Sequence, residues 1–205
     1  MKNKTFRVAA ILLAAVMLLA VTGCSAAKEI SLKPFSRGTV NGNTYHSDFA
    51  GLSFTAPDDW RFYSDEELSS LLGTTKELLD DPKTFEKLSE GELIDFFAIS
   101  SDGSMNVDMS YAKGSMLTNL EASRKASIDL IKDQYEQMGF SCTAEDPIDR
   151  TLGEKTFRMT ELSIDVGGGT MTQYFYVAMI GNYFVTVAAT ATNDTSMETF
   201  EAMFS

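Results

Sequence analysis

Three consecutive runs rich in β-branched and aromatic residues constrain the fold of this chain more than any other feature. The runs cover residues 156–165, 170–180 and 183–192, and glycine-containing turns at 167–169 and 181–182 separate them. Such residues favour strands, and connections this short join antiparallel neighbours. The sequence therefore predicts a three-stranded antiparallel meander in the last third of the chain.

The rest of the chain predicts helices and strands in separate blocks. Ser64 and Glu67 have the spacing of a capping box, which predicts a helix start, and residues 117–138 have the apolar spacing of a long amphipathic helix. Blocks of helices and antiparallel strands, rather than an alternation, indicate the α+β class. The other predicted elements are a hairpin at Asn41–Gly42, strands over 52–56, 93–100, 105–111 and 140–143, helical segments between Thr75 and Gly91, and a final helix capped by Asp194 or Thr195.

Two of the predicted strands carry polar or small residues on one face. In the strand over 105–111, Asn106, Asp108 and Ser110 alternate with apolar residues, which predicts a half-buried strand with one wet or functional face. In the strand over 183–192, one face carries Ala188 and small polar residues. That face is suited to close packing of a helix.

The first 24 residues have the features of a bacterial export signal that ends in a lipid attachment site. Basic residues at positions 2, 4 and 7 precede an uncharged, almost wholly apolar run over 8–21, which is too short to span a bilayer comfortably. The following Val21-Thr22-Gly23-Cys24 resembles the lipobox of bacterial lipoproteins. The resemblance implies a diacylglyceryl thioether on the Cys24 sulfur and cleavage between Gly23 and Cys24. The alternative is an ordinary signal peptide, or an N-terminal membrane helix, with a chance cysteine.

These features divide the chain into three expected segments. Residues 1–23 form the signal peptide, residues 24–38 the lipidated cysteine and a flexible tether, and residues 39–205 a single α+β domain. The tether is expected because Ser25–Arg37 is polar and contains Pro34. The domain would therefore be lipid-anchored at the extracytoplasmic face of the cell membrane.

The chain is acidic. Its net charge is −12, and loss of the signal, which carries three basic and no acidic residues, would make it −15. Nucleic acid demands basic residues, and anionic lipid would repel this domain. The charge therefore argues against both partners and favours solubility.

The cysteine count limits how the domain can be stabilised. The chain has two cysteines, so with Cys24 lipidated no disulfide can form and packing must supply the stability. Cys142 is then expected to be a small buried apolar residue, and a reactive thiol is the alternative.

Residues for the common catalytic and metal sites are scarce. His46 is the one histidine, which rules out a multi-histidine metal site, and a Ser-His-Asp triad would have to use it beside the tether. The glycines at 167–169 lack the Lys-Ser/Thr of a phosphate loop, and residues 102–108 lack the glycine of an EF-hand. We expect no catalysis, no metal and no cofactor, although a carboxylate pair for hydrolysis stays open.

Trp60 allows two interpretations. Its aromatic and basic neighbours over 61–63 are typical of a ligand-stacking site. The preferred interpretation is a core residue, since Pro57 ends a strand and Trp60 would close the end of the sheet.

Gly51, Phe54, Pro57 and Trp60 form a G-x-x-F-x-x-P-x-x-W pattern. This pattern, together with the order of elements from Tyr45 to Phe204, resembles the PsbP-like family, which includes the yeast Ran-release factor and many short bacterial lipoproteins. The resemblance implies an antiparallel sheet between helices. Members of that family bind different partners, so the fold transfers no function.

The sequence thus predicts a non-catalytic binding module of the cell envelope that recognises a protein or an envelope component. The alternative is a small-ligand or solute-binding lipoprotein with a cleft beside the sheet. A hydrolase that uses two facing carboxylates is a third possibility.

Cys24→Ala tests the anchor. Two acyl chains hold a protein stably on a membrane, at about 0.8 kcal/mol per buried CH₂. We expect the variant in the soluble fraction, or as a precursor that keeps residues 1–23, when fractions are analysed by mass spectrometry. A processed variant that stayed fully membrane-bound would contradict lipidation at Cys24.

Overall fold

The computed structural model describes residues 34–72, 92–114, 119–192 and 195–205, and the structural statements below refer to those residues. The signal, Cys24, the helical segments expected between Thr75 and Gly91, and the expected cap Asp194 lie outside them. In the described ranges no helix is long and apolar enough to span a bilayer.

Two antiparallel sheets form most of the fold. The main sheet has the strand order β4-β5-β6-β11-β10-β9-β7, with β8 also paired to β9, and the small sheet has the order β1-β2-β3. The small-sheet strands are β1 (Thr39–Asn41), β2 (Thr44–Ser47) and β3 (Leu52–Thr55). The main-sheet strands are β4 (Trp60–Phe62), β5 (Glu92–Ser100), β6 (Met105–Lys113), β7 (Ser141–Ala144), β8 (Ile148–Leu152), β9 (Lys155–Asp165), β10 (Thr170–Ile180) and β11 (Tyr183–Ala191).

The predicted meander is confirmed as β9, β10 and β11. Ile180 pairs with Tyr183 across the tight turn, and Gly181 has a φ of 62° there. A two-residue hairpin turn needs positive φ, which glycine adopts without strain. The hairpin expected at Asn41–Gly42 is likewise present between β1 and β2.

Three helices lie in the described ranges: α1 (Asp65–Leu72), α2 (Leu120–Gln137) and α3 (Met197–Glu201). The capping box is confirmed, because the Glu67 amide donates to Ser64 Oγ at 3.3 Å and the Ser64 amide donates to Glu67 Oε2 at 2.9 Å. α2 begins at Leu120, later than predicted, because the Asn119 side chain accepts from the Ala122 amide and caps it. Ser196 occupies the N-cap position of α3, without a capping hydrogen bond from its side chain, so the prediction of Thr195 as the cap was wrong.

The two faces of the main sheet are covered differently. On one face, Ile128, Ile131 and Tyr135 of α2 pack against Phe175 and Ala188. This arrangement confirms that the small-residue face of β11 receives a helix. The other face carries the small sheet and α3, through an aromatic core that includes Tyr45, Phe54, Phe96, Tyr176 and Phe200. The α+β prediction is therefore confirmed, but a second sheet supplies much of the layer opposite α2.

Two short strands were absent from the sequence predictions. β4 has three residues, and β8 has five, of which only Leu152 is buried. Neither has a buried apolar stripe long enough to signal a strand. Both are held by backbone pairing to long neighbours, β5 and β9.

The end of the predicted tether belongs to the folded domain. We define residues 34–38 as the strap. Its Phe35 is 7% exposed, with ring centroids 5.2 Å from Phe49 and 5.0 Å from both Tyr111 and Tyr183. The prediction that the tether continues to residue 38 was therefore wrong, because Phe35 finds apolar partners that lie far away in sequence.

Phe35→Ala tests whether the strap stabilises the domain. Replacing a buried phenylalanine by alanine costs about 3 kcal/mol or more of unfolding free energy, and we expect a loss of that size in urea denaturation. Val40→Ala is the control, because Val40 is 46% exposed and such changes cost about 0.5 kcal/mol or less. Equal midpoints for the two variants would contradict a packed strap.

Candidate functional site

An open groove of about 570 Å³ lies at the end of the main sheet where β5 turns into β6. The turn at 101–104 forms one wall, and the chain leading into β4 forms the other. The groove is lined by Asp58, Asp59, Trp60, Arg61, Tyr63, Ile99, Ser100, Ser101, Asp102 and Gly103.

Trp60 forms part of the groove but belongs to the core. Its side chain is only 8% exposed, and its ring centroid lies 6.3 Å from that of Phe54. Its strand pairs with the end of β5, where Trp60 faces Ser100. The interpretation of Trp60 as the residue that closes the sheet end is confirmed.

The rim of the groove is polar and mostly acidic. Asp58 and Asp59 are exposed. Asp102 accepts hydrogen bonds from the amide and hydroxyl of Ser104 and from the hydroxyl of Ser100. These hydrogen bonds hold the pKa of Asp102 below its ordinary value, and the bond from the Ser104 amide contributes most. The rim is therefore negatively charged at neutral pH.

One cation lies on the same rim. The guanidinium of Arg61 lies 4.4 Å from the centroid of the Tyr63 ring, and its Nη1 donates to Glu67 Oε1 at 2.8 Å. Aromatic stacking and the ion pair together orient this arginine. The groove can therefore offer oriented charges and hydrogen-bond groups to a partner.

The groove contains hydroxyls and carboxylates, and the histidine lies elsewhere, on β2. No group of three or more His, Cys, Asp or Glu within the described ranges is placed to hold a metal ion.

His46 does contact a serine and an aspartate. Its Nδ1 lies 2.8 Å from Ser53 Oγ, and its Nε2 lies 3.2 Å from Asp48 Oδ1. The side chains of His46 and Asp48 are 53% and 84% exposed. Catalytic triads need a rigid, water-excluding surround, so we interpret this chain of contacts as surface hydrogen bonding on the small sheet.

A second polar region lies in β6 and β11, on the face of the main sheet that α2 covers. Asn106, Asp108 and Ser110 are all buried, although the alternation in β6 had predicted that this face could be wet. The wet-face prediction was wrong, because alternation shows which residues share a face and not what covers that face. Ser110 Oγ donates to Glu92 Oε1 at 2.5 Å.

Two polar atoms in this second region have no hydrogen-bond partner among the described residues, Asn106 Nδ2 and Thr186 Oγ1. Burial, and then the charge of Glu92, raise the pKa of Asp108 well above its ordinary value. The combination of a buried acid and polar neighbours is uncommon at the centre of a sheet.

Cys142 is buried on β7, as expected, and is 6% exposed. Burial raises the pKa of its thiol, with Lys132 opposing the shift. A thiol with a raised pKa is a poor nucleophile, so the structural interpretation of Cys142 stands.

The comparisons with known proteins bear on the fold. No family model matches the sequence, and no curated protein matches it. Among solved structures, cyanobacterial PsbP (CyanoP) from Synechocystis sp. PCC 6803 is similar, with a TM-score of 0.51 and 11% identity over 89% of this chain and 97% of that chain. This likeness shows a PsbP-like fold, as the G-x-x-F-x-x-P-x-x-W pattern implied.

Two further structures are more distant. A protein of Bacteroides thetaiotaomicron VPI-5482 has a TM-score of 0.44 and 15% identity over 81% of this chain and 48% of that chain. LpqN of Mycobacterium tuberculosis, described as involved in cell envelope biogenesis, has a TM-score of 0.40 and 13% identity over 75% of this chain and 82% of that chain.

Asp108→Asn tests the buried acid. Because the pKa is raised in the folded state, the native protein binds this proton more tightly than the unfolded chain, and stability falls as pH rises from the ordinary value near 4 toward the raised one. Asparagine does not ionise, so the variant avoids this loss of stability at higher pH. We expect the variant's gain in unfolding free energy, measured by urea denaturation, to be larger at pH 7 than at pH 4.

The control for this experiment is Asp133→Asn, which changes an exposed acid on α2. Its change in stability at the two pH values is the reference with which Asp108→Asn is compared. A gain for Asp108→Asn that does not depend on pH would contradict a raised pKa.

Proposed function

We propose that this chain is a lipid-anchored, extracytoplasmic binding module without catalytic activity, and that the groove beside Trp60 is its recognition surface. The observation that carries the proposal is the position of the strap. Phe35 enters the domain at one end of the main sheet, and the groove lies at the other.

The register of the strands defines these two ends. Phe35 contacts Tyr183, the first residue of β11, which pairs with Lys113, the last residue of β6. Trp60 pairs with Ser100, just before the turn that leads into the first residue of β6. The nine residues of β6 span about 27 Å between the two ends.

This geometry orients an anchored domain. Cys24 and Phe35 are 11 positions apart, and that length of chain reaches at most about 40 Å. For the groove to meet the bilayer, the tether would have to run back along the sheet and use about two thirds of its maximum reach. An anchor at Cys24 therefore favours a groove that faces away from the membrane.

The charge on the rim indicates the chemistry of the partner. Asp58, Asp59 and Asp102 present carboxylates, and Arg61 is held against Tyr63. We expect a protein or envelope component that brings basic or hydrogen-bond-donating groups, since complementary charge guides and orients association.

Capture of a small ligand beside the sheet is the second candidate. It is favoured by the buried polar residues of β6 and β11, where Asn106 Nδ2 and Thr186 Oγ1 could donate hydrogen bonds. A small ligand bound there would raise the melting temperature of the purified domain, and the rise would increase with the logarithm of the ligand concentration once this exceeds Kd. If the partner is a macromolecule that binds at the groove, the Asn106→Ala change should leave its binding unchanged.

Photocrosslinking in intact envelopes tests the recognition surface. A photoreactive residue is placed at Ser101, which is exposed on the groove wall, and at Ile148, which is 45% exposed on the edge strand β8. We expect a discrete adduct from position 101 alone. It should decrease at least about tenfold when Asp58 and Asp59 are both changed to Asn, because their charges contribute to binding.

The same adduct should be lost when excess purified domain competes for the partner. Adducts of equal yield from both positions, or an adduct insensitive to the double Asp→Asn change, would argue against the groove. Hydrolysis of an envelope polymer by the purified domain would overturn the non-catalytic part of the proposal.

A further inference from the structure

We infer that Arg37 is a positioning residue for the groove: it connects the strap to α1, and α1 in turn fixes Arg61 on the groove rim. The inference rests on the proposed function for its biological meaning. Its physical content, a link between the anchored end of the domain and the groove, can be measured without any partner.

The first step is the contact of the strap with the core. Arg37 Nε donates to Asp95 Oδ1 at 3.1 Å, the Gly38 amide donates to Asp95 Oδ2 at 2.9 Å, and Tyr45 Oη donates to the same oxygen at 2.5 Å. The side chain of Asp95 is fully buried, and that of Arg37 is 15% exposed. A Cβ at Gly38 would overlap the Tyr45 ring, so only glycine allows this close approach.

The second step runs from the strap to α1. The two terminal nitrogens of Arg37 donate to the two carboxylate oxygens of Asp65, at 3.2 Å and 2.9 Å. Asp65 is the first residue of α1. Burial lowers the pKa of Arg37, but Asp65 and Asp95 outweigh that effect and hold it above its ordinary value. One guanidinium therefore joins a core carboxylate to a helix start.

The third step runs from α1 to the groove. Glu67, three residues after Ser64, closes the capping box and also accepts from Arg61 Nη1 at 2.8 Å. The hydrogen bond from the Ser64 amide contributes most to holding the pKa of Glu67 below its ordinary value. The hydrogen bond and the charge of Arg61 lower it further. Arg61 lies over Tyr63, and both line the groove.

These contacts give the link two states. With the strap docked, Arg37 holds the start of α1, and Glu67 holds Arg61 in one orientation. With the strap released, Asp65 loses its partner, the first turn of α1 frays, and Glu67 no longer fixes Arg61. A single short helix is suited to carry this effect because its first turn contains both contacts.

A double-variant cycle tests the link, with backbone amide hydrogen exchange as the readout. Arg37→Lys, Asp65→Asn and their combination are compared in the otherwise unchanged chain. Lysine keeps a positive charge beside the buried carboxylate of Asp95 but cannot form the forked contact with Asp65. We expect each single change to speed exchange in residues 61–68 by about tenfold, and the combination to add nothing further.

Asp129→Asn is the matched control, because it breaks another exposed ion pair, between Lys125 Nζ and Asp129 Oδ2 at 2.7 Å on α2. It should leave exchange in residues 61–68 unchanged. Additive effects of the two single changes, or exchange that rises in α1 but not at residues 61–63, would overturn the link.

The outcome is separable from that of the crosslinking experiment. A coupled exchange response together with no adduct at position 101 would remove the proposed function and leave the link in place. An adduct at position 101 together with additive exchange effects would remove the link and leave the recognition surface in place.

Discussion

The buried carboxylate of Asp95 is the constraint on which the N-terminal half of the domain depends. An isolated carboxylate at such a site would cost several kcal/mol or bind a proton. Burial does raise its pKa, and the hydroxyl of Tyr45, the amide of Gly38 and the guanidinium of Arg37 act against that shift. Because these groups come from the small sheet and the strap, one acid on β5 fixes both of them to the main sheet.

The two faces of the main sheet also differ in how they are packed. The small-sheet face is closed by aromatic rings that interlock, such as Phe54 and Phe96 with centroids 5.1 Å apart. The α2 face combines apolar contacts with a chain of hydrogen bonds, from Tyr135 to Gln173 and from Gln173 to Thr190. α2 can approach the small residues of β11 closely. The hydrogen-bonded side chains then fill the space between helix and sheet that larger apolar side chains would otherwise occupy.

This arrangement suits the domain that we propose, which is anchored at one end and binds at the other. The strap and its aromatic partners form the rigid attachment, while the groove lies about a strand's length away at a turn between strands. Loops and turns on a rigid sheet are where recognition residues are usually found. The acidic rim and the oriented Arg61 supply charge at this end of the sheet.

The sequence by itself determined the meander, the capping box and the long helix, because each pattern lies within a short stretch and follows local geometry. It also indicated a PsbP-like fold through four residues near Trp60. Only the tertiary structure decided that Phe35 and Arg37 belong to the domain, that Asp108 is buried, and that Trp60 closes the sheet beneath a groove. Those facts depend on partners distant in sequence, as with Arg37 and Asp95, which are 58 residues apart, and alternation or composition carries no information about such pairings.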